Sequence, residues 1–186
     1  NDIASQFILM EKHAYDKNTG LLYHGWDESK AQQWADKTTG QSPNFWGRSL
    51  GWYGMALVDV LDHFPANHPK RAELIAILHR FAIAVRKVQD NKTGLWYDVP
   101  NMPNEPKNYV EASASSMLAY TFAKGARKGY LPGAYLDHAK QAYRGIIKEF
   151  IETDANGQVN LKGTVAVSGL GGKPYRDGSF AYYMSE

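Results

Sequence analysis

The chain has 186 residues, of which 44% are hydrophobic and 22% charged. These proportions are close to globular averages and exclude disordered, collagen-like and low-complexity classes. With no Cys, disulfide frameworks, thiolate metal sites and cysteine nucleophiles are excluded too. The formal net charge is only +2 and both signs are interspersed, so no nucleic-acid partner is expected. No run of about 18 apolar residues is present, so no membrane span is predicted.

Aromatic residues are the one compositional excess, at 13% of the chain. Four of the five tryptophans fall in one stretch: Trp26, Trp34, Trp46 and Trp52. Core packing alone would spread such residues more evenly. The cluster therefore favours a surface for ligands with flat rings, and sugars are the obvious candidates.

Helical periodicity dominates the rest of the pattern. Residues 46–63 and 109–124 are apolar nearly all round, which predicts buried helices. Residues 69–90 and 132–152 carry an apolar stripe at helical spacing with charged residues off it, which predicts amphipathic helices. Buried and amphipathic helices therefore alternate along the chain.

The connecting turns repeat as well. The sequences DKNTGLLY at 16–23 and DNKTGLWY at 90–97 are closely related, and DANGQV at 154–159 is a weaker copy. A repeat of about 65 residues with two helices each indicates stacked helical hairpins, of which this chain supplies roughly three. We therefore predict one all-α region over residues 1–186, either an open array or about half of a closed toroid of hairpins.

Charged residues recur at the start of each predicted inner helix, and an aromatic residue comes two positions earlier. We expect both sets to line the rim of one pocket. Glu111 and Asp177 have an alternative role as helix caps. Arg48 opposes the helix dipole at its position, so binding of a carboxylate is the better explanation for it. The pairs are Trp46 and Arg48, Tyr109 and Glu111, and Tyr175 and Asp177.

Other candidate motifs are weaker. His24, in the loop after the first turn, could donate to a substrate oxygen or act as an acid or base. Asp27 and Glu28 are adjacent carboxylates, but a glycosidase pair is defined by a distance that sequence does not supply. The glycine-rich residues 169–172 lack the Lys of a P-loop. No metal-ligand spacing occurs, so no metal site is predicted.

Three segments together are similar to a known family. They are LYHGWDE at 22–28, FWGRSLGWY at 45–53 and NKTGLWY at 91–97, and YRDGSFAYY at 175–183 is similar to the family's closing motif. The chain resembles the unsaturated rhamnogalacturonyl hydrolases of glycoside hydrolase family 105, which are related to the unsaturated glucuronyl hydrolases of family 88. These enzymes are (α/α)6 barrels about twice as long, and the chain resembles their C-terminal half.

The resemblance implies hydrolysis of pectin-derived oligosaccharides that carry a terminal 4,5-unsaturated galacturonic acid. An Asp protonates C4, water adds at C5, and the resulting hemiketal opens with loss of the glycosidic bond. No cofactor is implied. Carried over position by position, His24, Trp46, Arg48 and Trp52 match substrate-binding residues, and Trp26 joins the rim at lower weight. The family's catalytic Asp has no match here, so it is expected upstream of this chain.

Two other classes remain open at this point. The first is a non-catalytic carbohydrate-binding helical module, in which an open array presents the tryptophans to a glycan. The second is another α/α-barrel enzyme, such as an epimerase of N-acylated amino sugars, which would need a different pair of pocket histidines, whereas here only His24 is well placed. An incomplete barrel would also expose the apolar sides of residues 46–63 or of the first helix, which predicts self-association through that open edge. The family resemblance implies a bacterial cytoplasmic or periplasmic protein.

Overall fold

A computed structural model describes residues 2–186. It contains five helices of three or more turns and one short one: α1 (Asp2–Ala14), α2 (Gly47–His63), α3 (Arg71–Lys87), α4 (Ala112–Arg127), α5 (Tyr135–Phe150) and α6 (Phe180–Tyr183). Helices α2 and α4 lie side by side, α3 packs on α2, α5 packs on α4, and α1 packs on α3. The protein is thus mostly a set of helical hairpins, as predicted.

The two amphipathic helices follow the predicted stripes. On α3, Leu74, Leu78 and Val85 are fully buried in the main core, whereas Arg86 and Lys87 are exposed. On α5, the buried positions include three small residues, Ala139, Ala142 and Gly145, and the larger Phe150. A Cβ at Gly145 would lie 2.2 Å from the Thr93 carbonyl oxygen, so the small residue lets α5 approach the preceding turn.

The inner helices are less enclosed than their composition predicts. Leu50, Leu57 and Leu61 of α2 are at most 1% exposed. However, the Trp52 side chain is 59% exposed on α2, and Tyr120 is 39% exposed on α4. The prediction that both helices are buried on all sides is therefore wrong, because each leaves one strip of its surface open.

The predicted turn repeat is confirmed by matching hydrogen bonds. In the first turn the Thr19 backbone and hydroxyl both donate to Asp16 Oδ2, and Gly20 takes a φ of +79°. In the second, Thr93 makes the same two bonds to Asp90 Oδ2, at 2.7 and 2.6 Å. Residues 36–40 (DKTTG) form a further copy, in which the Thr39 backbone and hydroxyl donate to Asp36 Oδ1, and this copy was not predicted.

The third turn belongs to a β-hairpin. Strands β1 (Ile151–Thr153) and β2 (Val159–Leu161) pair antiparallel, with Glu152 opposite Asn160. Asp154 Oδ1 accepts bonds from two backbone amides of the connecting turn. The all-α prediction is therefore corrected by this short ribbon, which alternating Val159 and Leu161 could have indicated.

An open groove of about 710 Å³ runs between α4 and α5. Its apolar lining includes Ala119, Tyr120, Tyr143 and Ile146, and Lys140 lies at its rim. The Tyr143 side chain is 64% exposed.

Among the residues described, no helix is long and apolar enough to cross a membrane.

Self-association through the sides of residues 46–63 or of the first helix stays a prediction. The α4–α5 groove is a further exposed apolar surface, and we propose that the chain also associates there. Replacing Tyr143 by Glu should shift the chain toward its monomer mass of 20.8 kDa, because the substitution places a charge in the apolar groove. Sedimentation velocity over a range of concentrations measures this. Ile83→Glu, at an exposed position of α3, is the control and should leave the distribution as in the wild type. A wild-type chain that is monomeric at all concentrations contradicts the prediction.

Candidate functional site

The starts of α2 and α4 are joined by the segment that follows the second turn. The Glu111 amide donates to the Trp96 carbonyl at 2.8 Å, and the Asp98 amide donates to the Tyr109 carbonyl at 2.9 Å. The Asp98 carbonyl in turn accepts from the Gly47 amide at 2.8 Å. The backbone of Asp98 thus bridges the entrances of both inner helices.

Close packing at this point depends on Gly47. A Cβ there would lie 2.9 Å from the Tyr97 carbonyl oxygen and 3.0 Å from the Ala114 side chain. Any larger residue would push the first turn of α2 away from α4. The glycine therefore brings the residues around the α2 N-terminus against the Asp98 segment.

Trp46, the N-cap residue of α2, is the centre of the site. Its indole Nε1 donates to Asp98 Oδ1 at 3.0 Å. The His24 ring lies 4.7 Å from the indole centroid at an interplanar angle of 45°, and the Arg48 guanidinium carbon lies 5.4 Å from it. Trp46 is only 6% exposed, so its ring forms a wall of the site and leaves little face open for stacking on a sugar.

His24 is held by Tyr183 from the other end of the chain. The His24 Nδ1 lies 2.7 Å from the Tyr183 hydroxyl. Burial lowers the pKa of His24 to about 4, so the ring is neutral near pH 7. Burial also raises the pKa of Tyr183, which keeps its proton and can donate to Nδ1. The contact fits the neutral tautomer that carries its proton on Nε2, in which Tyr183 donates to Nδ1 and Nε2 is a donor.

Asp98 is fully buried, and its side chain is only partly satisfied. Burial raises its pKa to about 7; the bond from Trp46 opposes this shift, the Glu111 charge adds to it, and Arg48 opposes it. Oδ1 accepts from Trp46, whereas the buried Oδ2 has no hydrogen-bond partner. The carboxyl group can therefore change its protonation state in the neutral range.

Glu111 is the N-cap of α4, which was the alternative role considered for it. Its carboxylate accepts from the Ser113 and Ala114 amides and from the Val165 amide. The side chain is fully buried, with Arg48 Nη2 3.7 Å from Oε1. Glu111 therefore lies beneath the pocket rim rather than on it.

Arg48 pairs with this buried carboxylate. Its Nε donates to the Ser113 hydroxyl at 2.7 Å, and Nη2 donates to the Val165 carbonyl. A cation at the start of α2 is unfavourable for the helix dipole, and the sequence therefore predicted a carboxylate partner for Arg48. Glu111 is a carboxylate that fills this role. The Arg48 side chain is 15% exposed, so part of the cation still faces solvent.

The other two predicted tryptophans, Trp52 and Trp26, lie away from the Trp46 ring contacts. Trp52 is exposed and lies about one and two thirds turns beyond Trp46 on α2. Trp26 stacks on His13 of α1, with ring centroids 3.8 Å apart, and its Nε1 donates to the Thr39 carbonyl. These contacts show Trp26 supporting its own loop.

The three charged residues predicted to occupy equivalent positions at the helix starts do not do so in the structure. Trp46 and Glu111 are both N-cap residues, so they correspond to each other. The N-cap of α6 is Ser179, and the exposed Asp177 accepts a bond from the Ser179 amide. Tyr175 is 41% exposed in the preceding turn. The cap alternative therefore holds for Glu111, while Asp177 precedes its helix.

Two residues of the site, Asp98 and Tyr183, were not singled out from the sequence. A signal for Asp98 existed, because it follows the turn residue Gly94 by the same four positions that separate His24 from Gly20. The structure places these two repeat-equivalent residues on the same indole. For Tyr183 the sequence holds no comparable signal, since its partner lies 159 positions away.

Over residues 2–186 no three His, Asp or Glu side chains come close enough to hold a metal ion. The site instead brings together the rings of Trp46 and Tyr183, the neutral imidazole of His24 and the partly exposed cation of Arg48. That combination suits a polar ligand with flat apolar faces and oxygen atoms, which describes a carbohydrate.

Comparison with known proteins identifies the family. The family model described as Glycosyl Hydrolase Family 88 matches residues 1–186. The chain belongs to this family. A structure of a glycoside hydrolase from family 105 of Clostridium acetobutylicum ATCC 824 superposes with a TM-score of 0.96 at 51% identity. The alignment covers 99% of this chain and 51% of that one, so the chain spans about half the length of the solved hydrolase.

Curated relatives agree with this assignment. Protein Atu3128 of Agrobacterium fabrum is 40% identical over 173 residues, which cover 90% of this chain and 73% of that protein. The unsaturated rhamnogalacturonyl hydrolase YesR of Bacillus subtilis is 32% identical over 114 residues, covering 61% of this chain and 30% of that protein. This member of family 88 therefore has relatives of quite different lengths.

The buried imidazole makes stability depend on pH. Between its ordinary pKa of 6.5 and the folded value of about 4, the unfolded chain binds a proton that the folded chain does not. The His24 contribution is thus complete above pH 6.5 and is lost as the pH falls toward 4, by on the order of 3 kcal/mol. His24→Gln should remove this part of the pH dependence in urea unfolding.

The control for that experiment is His63→Gln, at the exposed end of α2. Asp98 changes the unfolding free energy in the opposite direction over this pH range, because burial raises its pKa in the folded chain. This effect is common to wild type and variant, so the two are compared at each pH. An unfolding free energy that falls equally in His24→Gln and in wild type between pH 6.5 and 4 would contradict this assignment of His24.

Proposed function

We propose that this chain provides the substrate-contact part of an unsaturated rhamnogalacturonyl hydrolase. The observation that carries the proposal is the fixed arrangement of His24 and Trp46 at the start of α2, in a chain that matches the family over its whole length. Membership alone indicates a hydrolase acting on glycosides. The site geometry adds a place where the sugar would bind.

The proposed architecture is an (α/α)6 barrel of which this chain forms about half. Support comes from the superposition on the Clostridium structure, in which the chain covers 51% of a longer protein. The open strips of α2 and α4, with Trp52 and Tyr120 exposed, are the surfaces that further hairpins would cover or that would face the barrel interior. Half a barrel explains why these inner helices are not enclosed.

The proposed substrate is an oligosaccharide whose non-reducing end is a 4,5-unsaturated galacturonic acid linked to rhamnose. Support comes from the name of the Bacillus relative and from two features of the site. The exposed Trp52 indole is available to stack on a sugar ring, and the partly exposed Arg48 is a cation that can face the uronate carboxylate. Trp46 then serves as the wall behind the sugar.

In the proposed reaction a carboxylic acid protonates C4 of the double bond and water adds at C5. The resulting hemiketal opens to a ketone, and the aglycone leaves with its hydroxyl group. His24, neutral and donating from Nε2, would hold a substrate oxygen in place. The acid is an Asp expected outside residues 1–186, so this chain orients the substrate without supplying the proton.

The isolated 186-residue chain should therefore release no product. Incubation with an unsaturated galacturonyl–rhamnose disaccharide should leave the ultraviolet absorbance of the conjugated double bond unchanged, because the proton donor is absent. A full-length family 105 enzyme is the positive control. Turnover by the isolated chain at a rate near that of the control would contradict the proposed division of roles.

The isolated chain should still bind the disaccharide although it does not hydrolyse it, and this binding should depend on Trp52. In isothermal titration calorimetry, Trp52→Ala should weaken binding of the disaccharide by about tenfold, the loss expected for one aromatic stacking partner. Tyr143→Ala, at an exposed aromatic position in the α4–α5 groove, should bind as the wild type does.

The same titration separates this proposal from a non-catalytic carbohydrate-binding module. The exposed Trp52 is the observation that favours the module, since an open aromatic platform binds many glycans. Equal affinity for saturated and unsaturated disaccharides would support the module. A clear preference for the unsaturated sugar supports the hydrolase.

A further inference from the structure

Asp98 is held in the site by three hydrogen bonds. Its amide donates to the Tyr109 carbonyl just before α4, and its carbonyl accepts from Gly47 in the first turn of α2. Its side-chain Oδ1 accepts the Trp46 indole N–H at 3.0 Å. The segment that sets the spacing of the two inner helices therefore also holds the side chain that forms the wall of the site.

The hydrogen bond fixes the rotation of the Trp46 ring. The ring is buried, and an indole N–H left without an acceptor inside the protein is strongly unfavourable. Of the possible orientations, the one that points Nε1 at Asp98 also turns the ring toward His24 and Arg48. Loss of the acceptor would free the indole to turn toward another partner and would disturb both neighbours.

We propose that Asp98 is a positioning residue, whose side chain fixes the Trp46 indole and thereby the placement of the His24 imidazole beside it. This inference rests on the proposed function only in treating that wall as the sugar-contact surface. Asp98 itself is fully buried and does not reach a substrate, so it acts through Trp46.

Charged and titratable groups face Asp98 from every element around it. Arg48 approaches from α2, Glu111 from the start of α4, Tyr109 from the preceding loop and Tyr183 from α6. Burial raises the pKa of the Asp98 carboxyl to about 7 against the stabilising effects of Trp46 and Arg48. A carboxylate accepts a hydrogen bond more strongly than a neutral acid does, so the hold on Trp46 should weaken as the carboxyl gains its proton.

The test follows the Trp46 indole directly by ¹H–¹⁵N correlation spectroscopy of the chain from mildly acidic to mildly basic pH. The five tryptophans give five indole signals, and Trp46→Phe assigns the relevant one. We expect the Trp46 signal to shift with a midpoint near neutral pH, and the shift to vanish in Asp98→Asn. The Trp96 indole, which donates to the Val85 carbonyl, is the internal reference.

Asp137→Asn, which alters an aspartate whose side chain is 83% exposed on α5, should leave the Trp46 titration intact. A Trp46 signal whose position and titration are the same in Asp98→Asn as in the wild type would overturn the proposal. Because Asn keeps the size of the side chain and an acceptor oxygen, this variant is expected to fold.

Binding supplies the second readout. Asp98→Leu, which removes the acceptor, should weaken binding of the unsaturated disaccharide by about tenfold, while Asp98→Asn binds close to wild type. Equal affinity of Asp98→Leu and wild type would overturn the positioning role. If the wild-type chain binds no disaccharide at all, the proposed function fails, and the Trp46 titration still decides the role of Asp98.

Discussion

The whole site depends on how one buried indole is held. Trp46 lies at the start of α2 and is only 6% exposed, so its indole N–H needs a hydrogen-bond acceptor inside the protein. Asp98 supplies that acceptor from a segment already bonded to the starts of both inner helices. The hydrogen bond therefore links the spacing of the helices to the shape of the site, and the His24 ring lies against the same indole.

A second constraint is the buried charge beside it. Glu111 is fully buried, and a carboxylate in that position is unfavourable unless its oxygens are satisfied. Backbone amides of α4 and of Val165 satisfy them, and Arg48 adds a charge at 3.7 Å. The cation needed to balance Glu111 is thereby fixed at the edge of the site, where a negatively charged sugar would also meet it.

Much of the architecture could be predicted because it is local. The stripe of Leu74, Leu78 and Val85 and the Asp–Thr–Gly turns follow from side-chain spacing and from hydrogen bonds within a few residues. The β-ribbon was missed because Val159 and Leu161 form a short, exposed strand with a weak pattern. The open strips of the inner helices could not be read from composition, since enclosure depends on what else packs against them.

The site was only partly predictable for the same physical reason. His24, Trp46 and Arg48 were found from their motif, and the structure brings them together around one ring. Their true partners come from distant parts of the chain, as the Tyr183 contact with His24 shows. Trp26 belonged to the same sequence cluster, yet its ring packs on α1, because closeness in sequence does not fix the direction of a side chain.

We propose that a sugar binds at the wall formed by Trp46 and His24. A crystal structure of the chain soaked with the unsaturated galacturonyl–rhamnose disaccharide tests it most directly. We expect the uronate ring beside Trp52, with a substrate oxygen in hydrogen-bond reach of His24 Nε2 and the carboxylate facing Arg48. A disaccharide bound elsewhere, such as in the α4–α5 groove, with the His24 wall empty would contradict it.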